Sequence, residues 1–140
     1  MTDEKVAVFR KGHFNAAHRL AVPEWTDAEN FACFGPCSYP HFHGHNYEVV
    51  VKVVGTPDPV TGYVIDLKLV NTFLEEEVYR RFDHKNLNLD TEIFKDQLPT
   101  AENIAKAIYR LLRKRLAPAL TLQIRLYETP RNFVEYPATI

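Results

Sequence analysis

The chain has 140 residues, enough for one domain (1–140) to bury a core without disulfide or metal staples. Apolar residues make up 46% and charged residues 25%, as in an ordinary soluble protein, and a formal charge of -1 draws it to neither nucleic acid nor membrane. No apolar run approaches the roughly 18 residues that a bilayer span needs.

The first residues, MTDEKVAVFRKGHF, carry Asp3 and Glu4 where a secretory signal would have an apolar stretch. Cys33 and Cys37 are too few for a disulfide scaffold, and their CxxxC spacing lacks the second pair of a zinc ribbon. The expectation is a reducing, cytoplasmic compartment with at least one free thiol.

Residues 6–20 read as a strand, with Phe14, Ala16 and His18 on one side and His13 and Asn15 on the other. Residues 21–39 hold Pro23, Gly35 and Pro36 without a clean period and read as a long loop. Residues 46–54 form the second strand. GTPDPVTG is dense in turn residues and reads as closing a hairpin onto a short return strand at Tyr63 to Ile65.

Asp66 fits an N-cap, and behind it Val70, Phe73, Leu74, Glu77 and Val78 recur at helical spacing. A second helix starts at Thr100, with Glu102 in its first turn and Ile104, Ile108, Leu111 and Leu112 as the buried face. TLQIRLYET alternates cleanly, with Leu122, Ile124 and Leu126 on one face, and a short strand is expected at residues 132–136. This order argues for an α+β fold with an antiparallel four-stranded sheet and two helices on one face. The other face is left to solvent or to neighbouring subunits.

In PHFHGHNYEVVV, His43 and His45 point the same way from a strand, with Cα atoms roughly 6–7 Å apart. That suits two ligands of one zinc ion. His41 to His45 spans roughly 13 Å in extended chain, so His41 converges only through a bend. A third ligand from another strand is the better geometry, and His18, which ends an element on the Phe14 face, is the best candidate. Three histidines leave an open coordination position, the pattern of a catalytic rather than a structural zinc site.

Cys37 lies six residues before His43, and a thiolate near a cation can act as base. Asp83 and His84 pair a carboxylate with an imidazole after a helix, an arrangement that can relay a proton. Glu128 follows the last alternating strand. Cys33, between Ala32 and Phe34, reads as a packed thiol.

The segments FNAAHRL, FGPC, HGHNYEVVVKV, DPVTGYVIDL, FDHKNLN, TAENIA and RLYET, in this order, resemble the 6-pyruvoyltetrahydropterin synthase family along nearly the whole chain. The resemblance implies a T-fold whose trimers close their sheets into a barrel, two trimers stacking to a homohexamer. It implies zinc on His18, His43 and His45, catalytic Cys37, Asp83 and His84, a carboxylate at Glu128 that anchors the pterin ring, and Thr100 and Glu102 lining the pterin pocket. Asp83 and His84 are then supplied across a subunit interface. The chain departs from the family pattern at Phe42, where relatives carry a small residue. His41 and Cys33 are extra, and residues 21–32 match little.

The implied substrate is 7,8-dihydroneopterin triphosphate, whose triphosphate is eliminated without an external electron carrier. Arg10, Lys11 and Arg19 are the basic residues available to meet that triphosphate. Two alternatives stand beside the pyruvoyl product: the 6-carboxytetrahydropterin synthase of the queuosine pathway, and a non-catalytic zinc or pterin-binding module. The interval from Cys37 to His43 resembles that of the pyruvoyl-forming enzymes, and the intact Cys37, Asp83 and His84 argue against the module.

Overall fold

The computed structural model of the protein describes residues 4–140; Asp3, cited above for the charged start, lies outside the described residues. The elements are β1 (Val6–His18), α1 (Asp27–Phe34), β2 (His43–Gly55), α2 (Leu67–Phe73), α3 (Arg80–Phe82), β3 (Lys85–Asn86), α4 (Ala101–Arg113), β4 (Thr121–Tyr127) and β5 (Phe133–Tyr136). A 3₁₀ turn, Gly35–Ser38, follows α1, and a π-helical stretch, Leu74–Tyr79, joins α2 to α3.

The strands form one sheet in the order β3-β1-β2-β4-β5. The expected antiparallel four-stranded sheet is therefore corrected to a mixed, five-stranded one, because β3 runs parallel to β1 at Ala16–Lys85 and Ala17–Asn86. The hairpin is β1–β2, in register from Val6 with Gly55 to His18 with His43.

Tyr63 to Ile65 form no strand. β2 already pairs on one edge with β1 and on the other with β4, so no edge remains for a return strand. GTPDPVTG makes instead a tight turn on Asp58, whose carboxylate accepts the Val60 and Thr61 N–H groups at 2.7 and 2.9 Å. The expected loop at residues 21–39 contains α1, closed by a capping box in which Thr26 and Glu29 bond reciprocally.

The two expected helices form where the caps placed them. Asp66 accepts from Lys68 N at 2.9 Å and Thr100 from Asn103 N at 3.2 Å. Their apolar stripes, Val70, Phe73, Leu74 and Val78 on one and Ile104, Ile108, Leu111 and Leu112 on the other, are buried against one sheet face. That face presents Phe14, Tyr47, Val49, Val51, Val53, Leu122, Ile124 and Leu126, all almost fully buried. Each such side chain contributes roughly 1.5–3 kcal/mol of transfer free energy. Phe14 stacks on Tyr47 at 5.0 Å between ring centroids and touches Phe82 at 5.9 Å.

A Cβ at Gly12 would land on the Tyr79 hydroxyl reaching across from the π-helical stretch, so a larger residue there displaces that ring. Among the described residues no helix covers the opposite sheet face; only the C-terminal segment reaches it, where the Pro137 carbonyl accepts from the buried Gln123 side chain at 2.9 Å. This opposite face bears Phe9, Lys11, Lys52, Gln123, Arg125 and Tyr127 around a cavity of about 820 Å³.

Candidate metal centre and active site

The β1–β2 register sets His18 directly opposite His43, with His45 two residues further along the same face. Side chains of directly paired residues approach closely, so two short sequence signals 25 positions apart meet at one point. The candidate ligand nitrogens of His18, His43 and His45 lie within 4.8 Å of one another. His18 Nε2 is 2.9 Å from His43 Nε2.

His18 is fully buried, and its Nδ1 lies 2.8 Å from the Pro99 carbonyl, to which the ring N–H donates. That bond fixes the tautomer and turns the Nε2 lone pair toward the other histidines. Burial above all, with the neighbouring imidazoles, lowers the His18 pKa to about 4, and burial lowers that of His43 in the same direction. Both rings are thus neutral near pH 7, as ligands must be. His45 Nε2 is buried without a hydrogen-bond partner among the described residues. An orphaned nitrogen facing two converging imidazoles fits a metal ion.

His41 stays outside this cluster. β2 begins at His43, and Phe42 just before it sits at φ 66°, a left-handed turn that takes the chain off the strand direction. His13 lies on the uncovered face, opposite Glu48.

Cys37 is half-buried in the 3₁₀ turn, which starts at Gly35 with φ 60° and carries Pro36 next. Burial pushes its thiol pKa up, and the negative charge of Glu128 adds to this. Glu128 and Cys37 act in the same direction on the buried Tyr47 phenol, so the three side chains share one neighbourhood. Tyr47 Oη is 3.4 Å from His18 Nδ1. Cys33 is corrected: it is exposed on α1 rather than packed, because α1 turns that side outward. Both thiols are free.

Thr100 caps α4 one residue after the carbonyl that holds His18. Glu102 is exposed in the first turn of α4. Asp83 and His84 follow α3. Asp83 Oδ1 accepts the Asn15 N–H at 2.9 Å and lies 3.0 Å from His84 Nδ1, while His84 N donates to Asn15 O at 2.6 Å.

His84 stands at φ 60°, a position that costs strain for any residue with a Cβ and clusters at functional sites. Its side chain is 78% exposed and makes no hydrogen bond or ring contact with the three histidines. It borders a cavity of about 520 Å³ that Asn15, Gly44, His45 and Asn46 also line.

Of the three candidate cations, Lys11 pairs with Glu48 at 3.4 Å on the uncovered face, and Arg19 bonds to the Ser38 carbonyl. Sequence reasoning missed Tyr47 and Pro99. Tyr47 continues the alternate spacing of His43 and His45, a signal that was available. Nothing local marks a proline carbonyl 81 residues from its partner.

Fold and site together define a T-fold protein with a histidine triad able to hold a metal ion. A family model for 6-pyruvoyl tetrahydropterin synthase matches residues 7–139. The chain belongs to that family.

It is 43% identical over 129 residues to the 6-pyruvoyl tetrahydrobiopterin synthase of Pongo abelii, covering 92% of this chain and 89% of the relative. The solved 6-pyruvoyl tetrahydropterin synthase of Caenorhabditis elegans superposes with a TM-score of 0.87 at 36% identity, covering 94% of each chain. A 6-carboxy-5,6,7,8-tetrahydropterin synthase of Bacillus subtilis is 29% identical over 109 residues, 73% of this chain and 70% of that one.

Proposed function

We propose that this chain is a zinc-dependent lyase that converts 7,8-dihydroneopterin triphosphate to a 6-pyruvoyltetrahydropterin with loss of triphosphate. The observation that carries the reading is the convergence of His18, His43 and His45 beside the neighbourhood shared by Cys37, Glu128 and Tyr47. Residues 1–140 act as one domain, in the cytoplasm.

His18, His43 and His45 would hold the zinc. Bound there, it supplies Lewis acidity toward the side-chain hydroxyls of the substrate and makes the neighbouring C–H more acidic. Glu128 accepts the ring amino and N–H groups in two parallel hydrogen bonds, with Thr100 and Glu102 bordering the pterin.

Cys37 takes the proton. His84, held by Asp83, handles the second transfer. Exposed and without a hydrogen bond or ring contact to the three histidines, His84 serves the site of a neighbouring subunit in this reading, in trimers that close their sheets into a barrel and pair as a hexamer. The uncovered sheet face supports this assembly.

Relatives named for the pyruvoyl product match at higher identity and over more of the chain than the carboxy-forming enzyme does. Incubation with 7,8-dihydroneopterin triphosphate and mass analysis decide the product: 6-pyruvoyltetrahydropterin is expected, and the 6-carboxy product or no turnover would refute the reading.

Glu128→Ala is expected to raise KM about 10–100-fold while zinc content stays at the wild-type level. Lost pairing of the ring donors costs roughly 1–3 kcal/mol. An unchanged KM would place the pterin elsewhere.

A further inference from the structure

Beyond His18, the chain leaves β1 and grips the turn that carries Cys37. Leu20 N donates to the Cys37 carbonyl at 2.9 Å, and Arg19 Nε donates to the Ser38 carbonyl at 2.8 Å. Two consecutive carbonyls of the turn are thus tied to the two residues that follow a candidate metal ligand.

Arg19 is itself clamped. Its N–H donates to Asn88 Oδ1 at 2.8 Å, and Asn88 Nδ2 donates back to its carbonyl at 2.9 Å. Asn88 is set in turn by its own N–H on Asn86 Oδ1 at 3.0 Å, while Leu87 N bonds Ala17 O at 2.8 Å. On the far side Ser38 is buried, and its hydroxyl donates to Gly35 O at 2.8 Å, so the pull on its carbonyl is passed to the whole four-residue turn. Among the described residues no carboxylate pairs with the Arg19 guanidinium, which leaves the Ser38 bond as the fixed engagement of that side chain.

A short 3₁₀ turn has poor internal hydrogen-bond geometry, so its position depends on such outside ties. We propose that Arg19, backed by Asn88, is the positioning residue that holds the Cys37 thiol at its working distance from a substrate bound at the histidine triad. This rests on the reading of Cys37 as the base. The sequence offered Arg19 as a triphosphate contact; the structure assigns its Nε to the protein's own backbone.

A misplacement of about 1 Å at a reacting group costs about 10²-fold in rate. Arg19→Met keeps the stem and removes the donor, and Arg19→Lys keeps a donor one bond further out. Arg19→Met is expected to lower kcat about 100-fold with KM and zinc content within about twofold of wild type, and Arg19→Lys to recover about tenfold of that loss. In a Cys33→Ala background, alkylation of Cys37 by iodoacetamide in the metal-free protein is expected to rise about tenfold in Arg19→Met, as the turn is released.

The proposal is overturned by kcat within about threefold of wild type in Arg19→Met, by zinc loss or a KM rise that matches the fall in kcat, or by equal activity of the Lys and Met variants. If Arg19→Met does not fold, Asn88→Asp decides, since it keeps the acceptor for the Arg19 N–H and sets a carboxylate oxygen in place of the Nδ2 donor: about tenfold lower kcat at unchanged KM supports the clamp, and wild-type kcat refutes it. Full turnover by Cys37→Ala would remove the underlying reading of the base. An inactive Cys37→Ala beside a fully active Arg19→Met would sink the Arg19 proposal alone.

Discussion

Replacing Cys37 with alanine is expected to lower kcat by about 10³-fold while zinc content and KM stay near wild type, because a positioned general base contributes about 10²–10⁴-fold to the chemical step alone. Cys33→Ala is expected to keep wild-type turnover. The two thiols lie in one short segment, and the structure separates them. Cys33 is exposed on α1, while Cys37 is half-buried within the influence of Glu128 and Tyr47. Steady-state kinetics with metal analysis check both variants. If Cys33→Ala lost turnover and Cys37→Ala kept it, the assignment of the base would be reversed.

His18→Ala and His43→Ala are expected to bind zinc at least about 100-fold more weakly, beyond the roughly 10–100-fold that loss of a ligand's hydrogen-bonding partner costs. His41→Ala is expected to retain one zinc per chain, since His41 lies outside the converging set. Stoichiometric zinc in either of the first two variants would refute the ligand set.

The same site has a pH signature in the metal-free protein. The ordinary histidine pKa is 6.5, and the buried His18 has one of about 4. As pH falls through that window the unfolded chain takes up a proton that the folded chain refuses. Stability therefore declines from pH 6.5 toward pH 4, by roughly 2–3 kcal/mol from this residue. Urea unfolding of metal-free protein at pH 7 and pH 4.5 measures the loss. His18→Leu should show a smaller one, and an equal loss would discard this account.

The helices were legible because their signals are local. Asp66 and Thr100 cap the residues two or three positions on, and the apolar stripes repeat within a few turns. The same-face placement of His43 and His45 was legible for the same reason, since strand alternation needs only neighbouring residues. The family resemblance spread such local matches along the whole chain, and with them the candidate site residues.

What failed in the reading depended on partners distant in sequence. Tyr63 to Ile65 carry a plausible strand composition, yet both edges of β2 are taken by β1 and β4. The two-residue β3 exists only because the chain after α3 returns alongside Ala16 and Ala17. α1 is the exception: its capping box, Thr26 to Glu29, is a local signal, passed over because the segment lacks a clean apolar period.

At the site, alternation put His18 on the correct side of its strand, but only the antiparallel register carried it to His43. The Pro99 carbonyl that orients it, the Phe42 turn that excludes His41 and the Arg19–Ser38 bond behind Cys37 likewise join groups that no spacing rule connects. The sequence determined which residue types were present and which way each one faces on its own element. Tertiary structure decided which of them meet, because contact between elements is set by strand register and core packing, and these minimise free energy over the whole chain at once.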